Sequence, residues 1–190
     1  MSVVSASTIG DHLDFLVMQP DHEHAIVRDL VFAVLAFNKH GHGDPLQISF
    51  PLYTDAKVSS RGALGPCVRI TGAGERLYVL TLRYEIAAHL RAGRAMTLVR
   101  DRVVVEAGRN DRFTLITSPV ARRRESPVEV AAARPLVLSG QSRLIETAGA
   151  LGVAVRDEAA FVTHSESPVA SDGDVDLLGF SERKTVPVLK

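Results

Sequence analysis

An α+β fold in two parts is what this sequence predicts, and three observations predict it. The stretch from His12 to Pro51 carries strand, helix and strand signals in succession. The middle of the chain is rich in short β-forming runs. A charged segment flanked by prolines, Pro119–Pro127, then interrupts the apolar pattern. This divides the chain into a flexible tail over residues 1–11, a first domain over 12–119 and a smaller α/β region over 120–190. A chain of 190 residues suffices for one large or two small domains.

Each element has a local reason. His12-Leu-Asp-Phe-Leu-Val-Met-Gln19 reads as a strand with both faces largely buried, and Pro20 ends it. Asp21 has the short oxygen-bearing side chain of a helix N-cap, and Glu23 adds negative charge near a helix start. Val27, Leu30, Val31, Val34 and Leu35 follow at helical spacing as one apolar stripe. Lys39 and His40 suit the negative end of the macrodipole, and Gly41 can take the left-handed conformation that stops a helix. Leu46, Ile48 and Phe50 then share one face of a second strand. Leu52–Pro66 is a polar loop, and Cys67–Thr71 a third strand.

From Ala73 to Ala92 two readings stay open. Leu77–Leu82 contains β-formers, whereas Ile86, Leu90 and the alanines between them are helical in spacing. Thr97–Val99, Arg102–Ala107 and Arg112–Ser118 read as strands, with Gly108-Arg-Asn-Asp111 as a hairpin turn. Beyond the break, Pro127 starts a short helix through Ala133, and Ser142 caps a helix over Arg143–Ala150 that Gly152 stops. Ala160–His164 and Val175–Leu178 read as strands, separated by the turn-rich Ser165–Gly173.

Composition narrows the class of protein. Apolar content of 46% with a formal net charge of zero describes a soluble globular protein. The global basic charge usual in nucleic-acid binders is missing, so any such footprint must be local. The single cysteine, Cys67, rules out an intramolecular disulfide and suits a reducing cytoplasm, where a buried inert thiol is expected. No apolar run is long enough to span a bilayer, and Met1–Gly10 lacks the pattern of a signal peptide. A cytoplasmic protein without membrane partners is the expectation.

The densest polar cluster is His40-Gly-His42-Gly-Asp44, and it admits three readings. An imidazole can take the proton of a ribose 2′-hydroxyl or give one to a leaving 5′-oxygen. Two neutral imidazoles can also bind zinc, although only His89 and His164 remain downstream to complete a ligand set. The third reading is a solvated helix end. His22 and His24, two positions apart at the helix start, point in different directions and read as surface residues. Arg122, Arg123 and Arg124 form the one basic run, suited to phosphates or to a solvated interdomain loop. Ser165 and Ser167 are hydroxyl donors for phosphate or 2′-hydroxyl, while His164 beside Ser165 is a poor nucleophile–base pair. Gly72-Ala-Gly74 lacks the spacing of a nucleotide loop.

Two motifs at opposite ends of the chain carry a resemblance. Ile48-Ser-Phe-Pro51, closing the strand–helix–strand unit, and Gly179-Phe-Ser181 with Thr185-Val-Pro187 resemble the CRISPR repeat-processing endoribonucleases of the type I-F kind and their type IV relatives. The resemblance implies helix across residues 73–92. The order to about residue 107 then becomes β-α-β-β-α-β, a ferredoxin-like (RRM-like) domain. It further implies binding of the CRISPR RNA repeat hairpin and cofactor-free, metal-independent cleavage of precursor CRISPR RNA by 2′-hydroxyl attack. The protein would then stay on the RNA with other CRISPR effector-complex subunits.

The same resemblance implies a histidine on the first helix, a serine after a late strand, a tyrosine before the closing glycine and an arginine-rich C-terminal helix. Counting back from Phe50-Pro51 without gaps puts the histidine position at Leu35, and His40 is the nearest histidine downstream. Ser165 falls close to the serine position, and Leu178 stands where the tyrosine is expected. The segment after Pro127 reads Val-Glu-Val-Ala-Ala-Ala in place of arginines. Type IV relatives can use arginines in place of histidine, which makes Arg28 a candidate. The expected catalytic residues are therefore His40, His42, Ser165 and Arg28, with Arg122, Arg123, Arg124 and Ser167 on the RNA and no metal. A catalytically inactive guide-RNA-binding subunit is the alternative, and a metal hydrolase on His40 and His42 the third reading.

Overall fold

The computed structural model describes residues 11–41, 43–53, 64–98, 105–116, 134–136, 160–181 and 183–189. Their architecture is mixed α+β, as the sequence predicts. Two antiparallel sheets of four strands each are present, and three helices accompany the first.

The first sheet is built from β1 (His12–Val17), β2 (Gln47–Ser49), β3 (Cys67–Thr71) and β4 (Ala95–Leu98). Its strand order is β2-β3-β1-β4. In β1, Leu13, Phe15 and Val17 alternate onto the helix-covered face, where Ile48, Val68, Ile70 and Ala95 join them. α1 (Glu23–His40) lays Ile26, Val27, Leu30, Val31, Val34 and Leu35 against that face, all nearly inaccessible to solvent. Burial of such an apolar stripe, at about 25 cal/mol per Å² of apolar surface, is what stabilises the helix.

The helix begins later than its sequence signals suggest. Pro20–His22 forms a turn of 3-10 helix, closed by the His22 N–H on the Gln19 carbonyl, and α1 starts at Glu23 with no side-chain cap. Asp21 is exposed and caps nothing, because proline at the first position sets the tighter turn. Glu23 is buried instead, and its carboxylate accepts the Leu64 N–H at 2.8 Å. At the other end, Gly41 is extended (φ −84°, ψ 148°) rather than left-handed. Space accounts for the glycine: a Cβ there would meet the Phe37 carbonyl and the Arg76 guanidinium.

The ambiguous stretch after β3 resolves into two helices, α2 (Gly74–Thr81) and α3 (Tyr84–Arg91). Thr81 Oγ1 turns back onto the Tyr78 carbonyl at 2.7 Å, and Arg83 is extended, which breaks the run between them. Leu77, Leu80 and Ile86 point into the core. None of the helices among the described residues is long and apolar enough to cross a membrane.

The second sheet contains β5 (Val105–Ile116), β6 (Arg134–Leu136), β7 (Ala160–Ser167) and β8 (Val186–Leu189), in the order β6-β7-β5-β8. The hairpin expected at Gly108–Asp111 is not formed, since β5 runs unbroken through it. The register between β5 and β8 slips between Val105 and Asn110, so the turn-favouring residues mark an irregularity inside a strand. β7 continues past His164 to Ser167, and Val175–Leu178 is not a strand. β8 lies at the sheet edge, a place where a proline such as Pro187 is tolerated in a ladder. β5, which precedes the division expected at residue 119, pairs with β7 and β8. The helices expected over residues 127–133 and 143–150 lie outside the described residues.

Aromatic contacts join the two sheets. Phe50, at the end of β2, meets Phe113 of β5 edge-on, with ring centroids 5.6 Å apart, and stacks on Phe180 at 6.5 Å. Side chains on the face of the first sheet away from the helices line the cleft that this leaves. Arg69 there makes two hydrogen bonds to Asp14, at 2.6 and 2.8 Å, and both residues are buried.

Candidate functional site

Of the expected catalytic residues, His40, Arg28 and Ser165 lie among the described residues, the first two on α1 and the third on β7. His40 is the exposed last residue of α1, and among the described residues no hydrogen bond fixes its ring. Its neighbour Asn38 has a purely architectural job, bonding both the N–H and the carbonyl of Leu46. Arg28 lies twelve positions earlier on the same helix, about 18 Å along its axis. Arg28 is partly buried and donates to Asp29 at 2.8 Å. Ser165 lies across from Arg112 in the β5–β7 ladder, and Ser167 across from Asn110. The Ser167 hydroxyl is engaged with the Val169 carbonyl at 2.8 Å. His42 and Arg122, Arg123 and Arg124 lie outside the described residues.

What the structure does bring together is a cluster on the other face of the same two strands. The register sets Asp111 opposite Glu166 and Phe113 opposite His164, so these four side chains alternate onto one face. His164 Nε2 lies 3.0 Å from Asp111 Oδ1. The imidazole stacks on Phe113 at 5.0 Å and leans on Tyr53 at 5.2 Å, while the Tyr53 hydroxyl bonds the Val162 carbonyl at 3.2 Å. Arg109 donates to Glu166 at 3.1 Å at the solvent edge. Two carboxylates directly across a ladder repel, and the adjacent imidazole and guanidinium offset this.

The cleft between the sheets begins at Asp111. Ser49, Pro51, Arg69, Phe113, Val186 and Val188 complete its lining, around a space of about 20 Å³, room for about one water molecule. The Ser49 hydroxyl is buried and, among the described residues, has no partner. Asp111 therefore faces His164 on one side and a polar cleft on the other. The donor atoms of Asp111, His164 and Glu166 lie within 4.8 Å of one another, a spacing that a divalent ion could bridge. In this structure the His164 and Glu166 donors are already bonded within the protein, to Asp111 and Arg109.

A second histidine–carboxylate pair joins α1 to α3. His89 Nε2 lies 2.9 Å from Asp29 Oδ2, linking Arg28, Asp29 and His89 in a row. His89 is buried and its Nδ1 has no partner among the described residues, while Asp29 and Arg28 are partly exposed.

Sequence reasoning missed the Asp111–His164 pair. The signal lay in the alternation of Phe113 with Asp111 and of His164 with Glu166, but reading Asp111 as part of a turn removed it from the strand. Neither a protein-family model nor a curated protein sequence matches this chain.

Proposed function

We propose that this chain binds the stem-loop of a CRISPR repeat RNA and cleaves the precursor by metal-independent 2′-hydroxyl attack. It then remains on the RNA as a subunit of a cytoplasmic effector complex. One observation carries the reading. The two motifs that bear the resemblance, far apart in sequence, touch: Ile48 donates its N–H to the Gly179 carbonyl at 2.8 Å, and Phe50 stacks on Phe180. A chance likeness in two short strings gives no reason for the strings to pack on each other.

The first sheet supports the same reading. Strand order β2-β3-β1-β4, with every neighbour antiparallel, agrees with a ferredoxin-like, RRM-like domain of β-α-β-β-α-β type in which α2 and α3 share the second helical position. Sheet folds of this kind host many functions, so the fold alone does not carry the proposal.

A second reading, a guide-RNA-binding subunit without nuclease chemistry, is favoured by a specific observation. Leu35 and Leu178, at the positions where the resemblance implies a histidine and a tyrosine, are buried in the core. Neither can move a proton, and the α1 surface there is packed rather than open. The experiment is to incubate the protein with repeat hairpins in EDTA and follow both retention and cutting. Tight, hairpin-specific binding with a 2′,3′-cyclic phosphate product supports the first reading, and binding without product the second. No preference for the hairpin over unstructured RNA contradicts both.

A further inference from the structure

We infer that His164, oriented by Asp111, is the catalytic acid–base residue of the RNA cleavage, a role that sequence position assigned to His40. The inference rests on the endoribonuclease reading above and names the residue that performs its chemistry. Three geometric facts separate His164 from the other described histidines.

The first is orientation. A carboxylate 3.0 Å from Nε2 holds the proton on that nitrogen and leaves Nδ1 as the base. The Phe113 and Tyr53 rings then fix the plane of the imidazole, so Nδ1 points in one direction. The second is access. The His164 side chain keeps 20% of its surface in contact with solvent, and Nδ1 has no hydrogen-bond partner among the described residues. His89 has a similar carboxylate but is buried, and His40 is exposed and, among the described residues, unheld. The third is charge. Arg109 stands at the open edge of the cluster, where its exchange from Glu166 to a phosphate oxygen keeps the guanidinium paired.

The step balances without a metal or a redox partner. The ribose 2′-oxygen forms a bond to the adjacent phosphorus, and its proton passes to His164 Nδ1. The P–O5′ bond breaks with its electron pair going to O5′. That oxygen takes a proton from solvent water, and the imidazolium returns its own to the hydroxide left behind. Asp111 stabilises the imidazolium in between and is not itself protonated. The products are a 2′,3′-cyclic phosphate and a 5′-hydroxyl.

The test uses the full chain, a repeat hairpin with a single scissile linkage, and EDTA throughout. Cleavage by His164→Ala should fall about 10²–10⁴-fold with hairpin affinity unchanged. Free imidazole should restore part of the lost rate, which a merely structural histidine would not allow. His164→Gln, which can keep a hydrogen bond to Asp111 but carries no base, should be as slow as His164→Ala, and this guards against misfolding of the smaller variant. His40→Ala should cut at the wild-type rate. Wild-type cutting by His164→Ala and His164→Gln overturns the inference while leaving the endoribonuclease reading in place. Cleavage that EDTA abolishes and Mn²⁺ restores overturns it in favour of a metal site on the same cluster. A wild-type protein that binds the hairpin and never cuts it overturns His164 catalysis and leaves the guide-RNA subunit. Failure of the wild type to bind the hairpin removes the reading itself.

Discussion

Gly179 lies so close to Val34 that a Cβ on it would come within 2.9 Å of the valine Cγ1. Ile48 crowds it equally from the β2 side, and its backbone is left-handed at φ 89°. Glycine is required twice over at this position, once for conformation and once for space. Gly179→Ala should therefore destabilise the fold by about 1–3 kcal/mol, read as a lower urea midpoint. An unchanged midpoint would mean that the segment is not docked on α1 and β2 as described.

The neighbouring Ser181 holds the docked segment in shape. Its hydroxyl donates to the Asp174 carbonyl at 2.7 Å and accepts the Lys184 N–H at 2.8 Å. The short strings that looked like signature residues in the sequence thus have mechanical work in this structure. They fasten the C-terminal segment to the first helix and second strand.

The buried pair of Asp14 and Arg69 yields a second stability prediction. The two lie on neighbouring strands in direct register, on the sheet face turned away from the helices. Asp14→Ala leaves a buried guanidinium without its carboxylate and should cost about 3–5 kcal/mol. Replacing both, as Asp14→Leu with Arg69→Met, should cost less than the single change, because no charge is then stranded. Equal losses in the single and double variants, measured by equilibrium unfolding, would argue against the pair being desolvated.

The parts of the fold that the sequence made legible were those set by periodicity. The His12–Gln19 run, read as a strand buried on both faces, has Leu13, Asp14, Phe15 and Val17 buried, and the stripe from Val27 to Leu35 faces the core. The errors arose where local preference met a partner distant in sequence. Gly108-Arg-Asn-Asp111 carries every turn signal, yet long-range pairing of β5 with β7 holds it extended. The buried charge of Asp14 was invisible for the same reason, since Arg69 arrives from another strand. Among the candidate site residues, sequence placed His40 on the end of the first helix, and there it is. Among the described residues, no group there orients the ring. The pair that has one depends on a cross-strand register that no single segment encodes.

The arginine run supplies a prediction about affinity rather than chemistry. If Arg122, Arg123 and Arg124 bind phosphates, replacing all three by alanine should weaken hairpin binding. The slope of log affinity against log salt should then flatten by roughly one unit for each phosphate no longer neutralised. A triple variant with the wild-type slope would assign the arginines to ordinary solvated surface. The segment Val128–Ala133, with its alanines and one glutamate, should matter little to affinity.

The RNA that the protein retains reports on repeat binding and cleavage together. The chain should be co-expressed with a repeat–spacer transcript from its own source, purified, and its bound RNA sequenced with both ends chemically mapped. One predominant species is expected, ending at the base of the repeat stem, with a 2′,3′-cyclic phosphate there and a 5′-hydroxyl on the following fragment. Bound RNA of random sequence, or none at all, would contradict it.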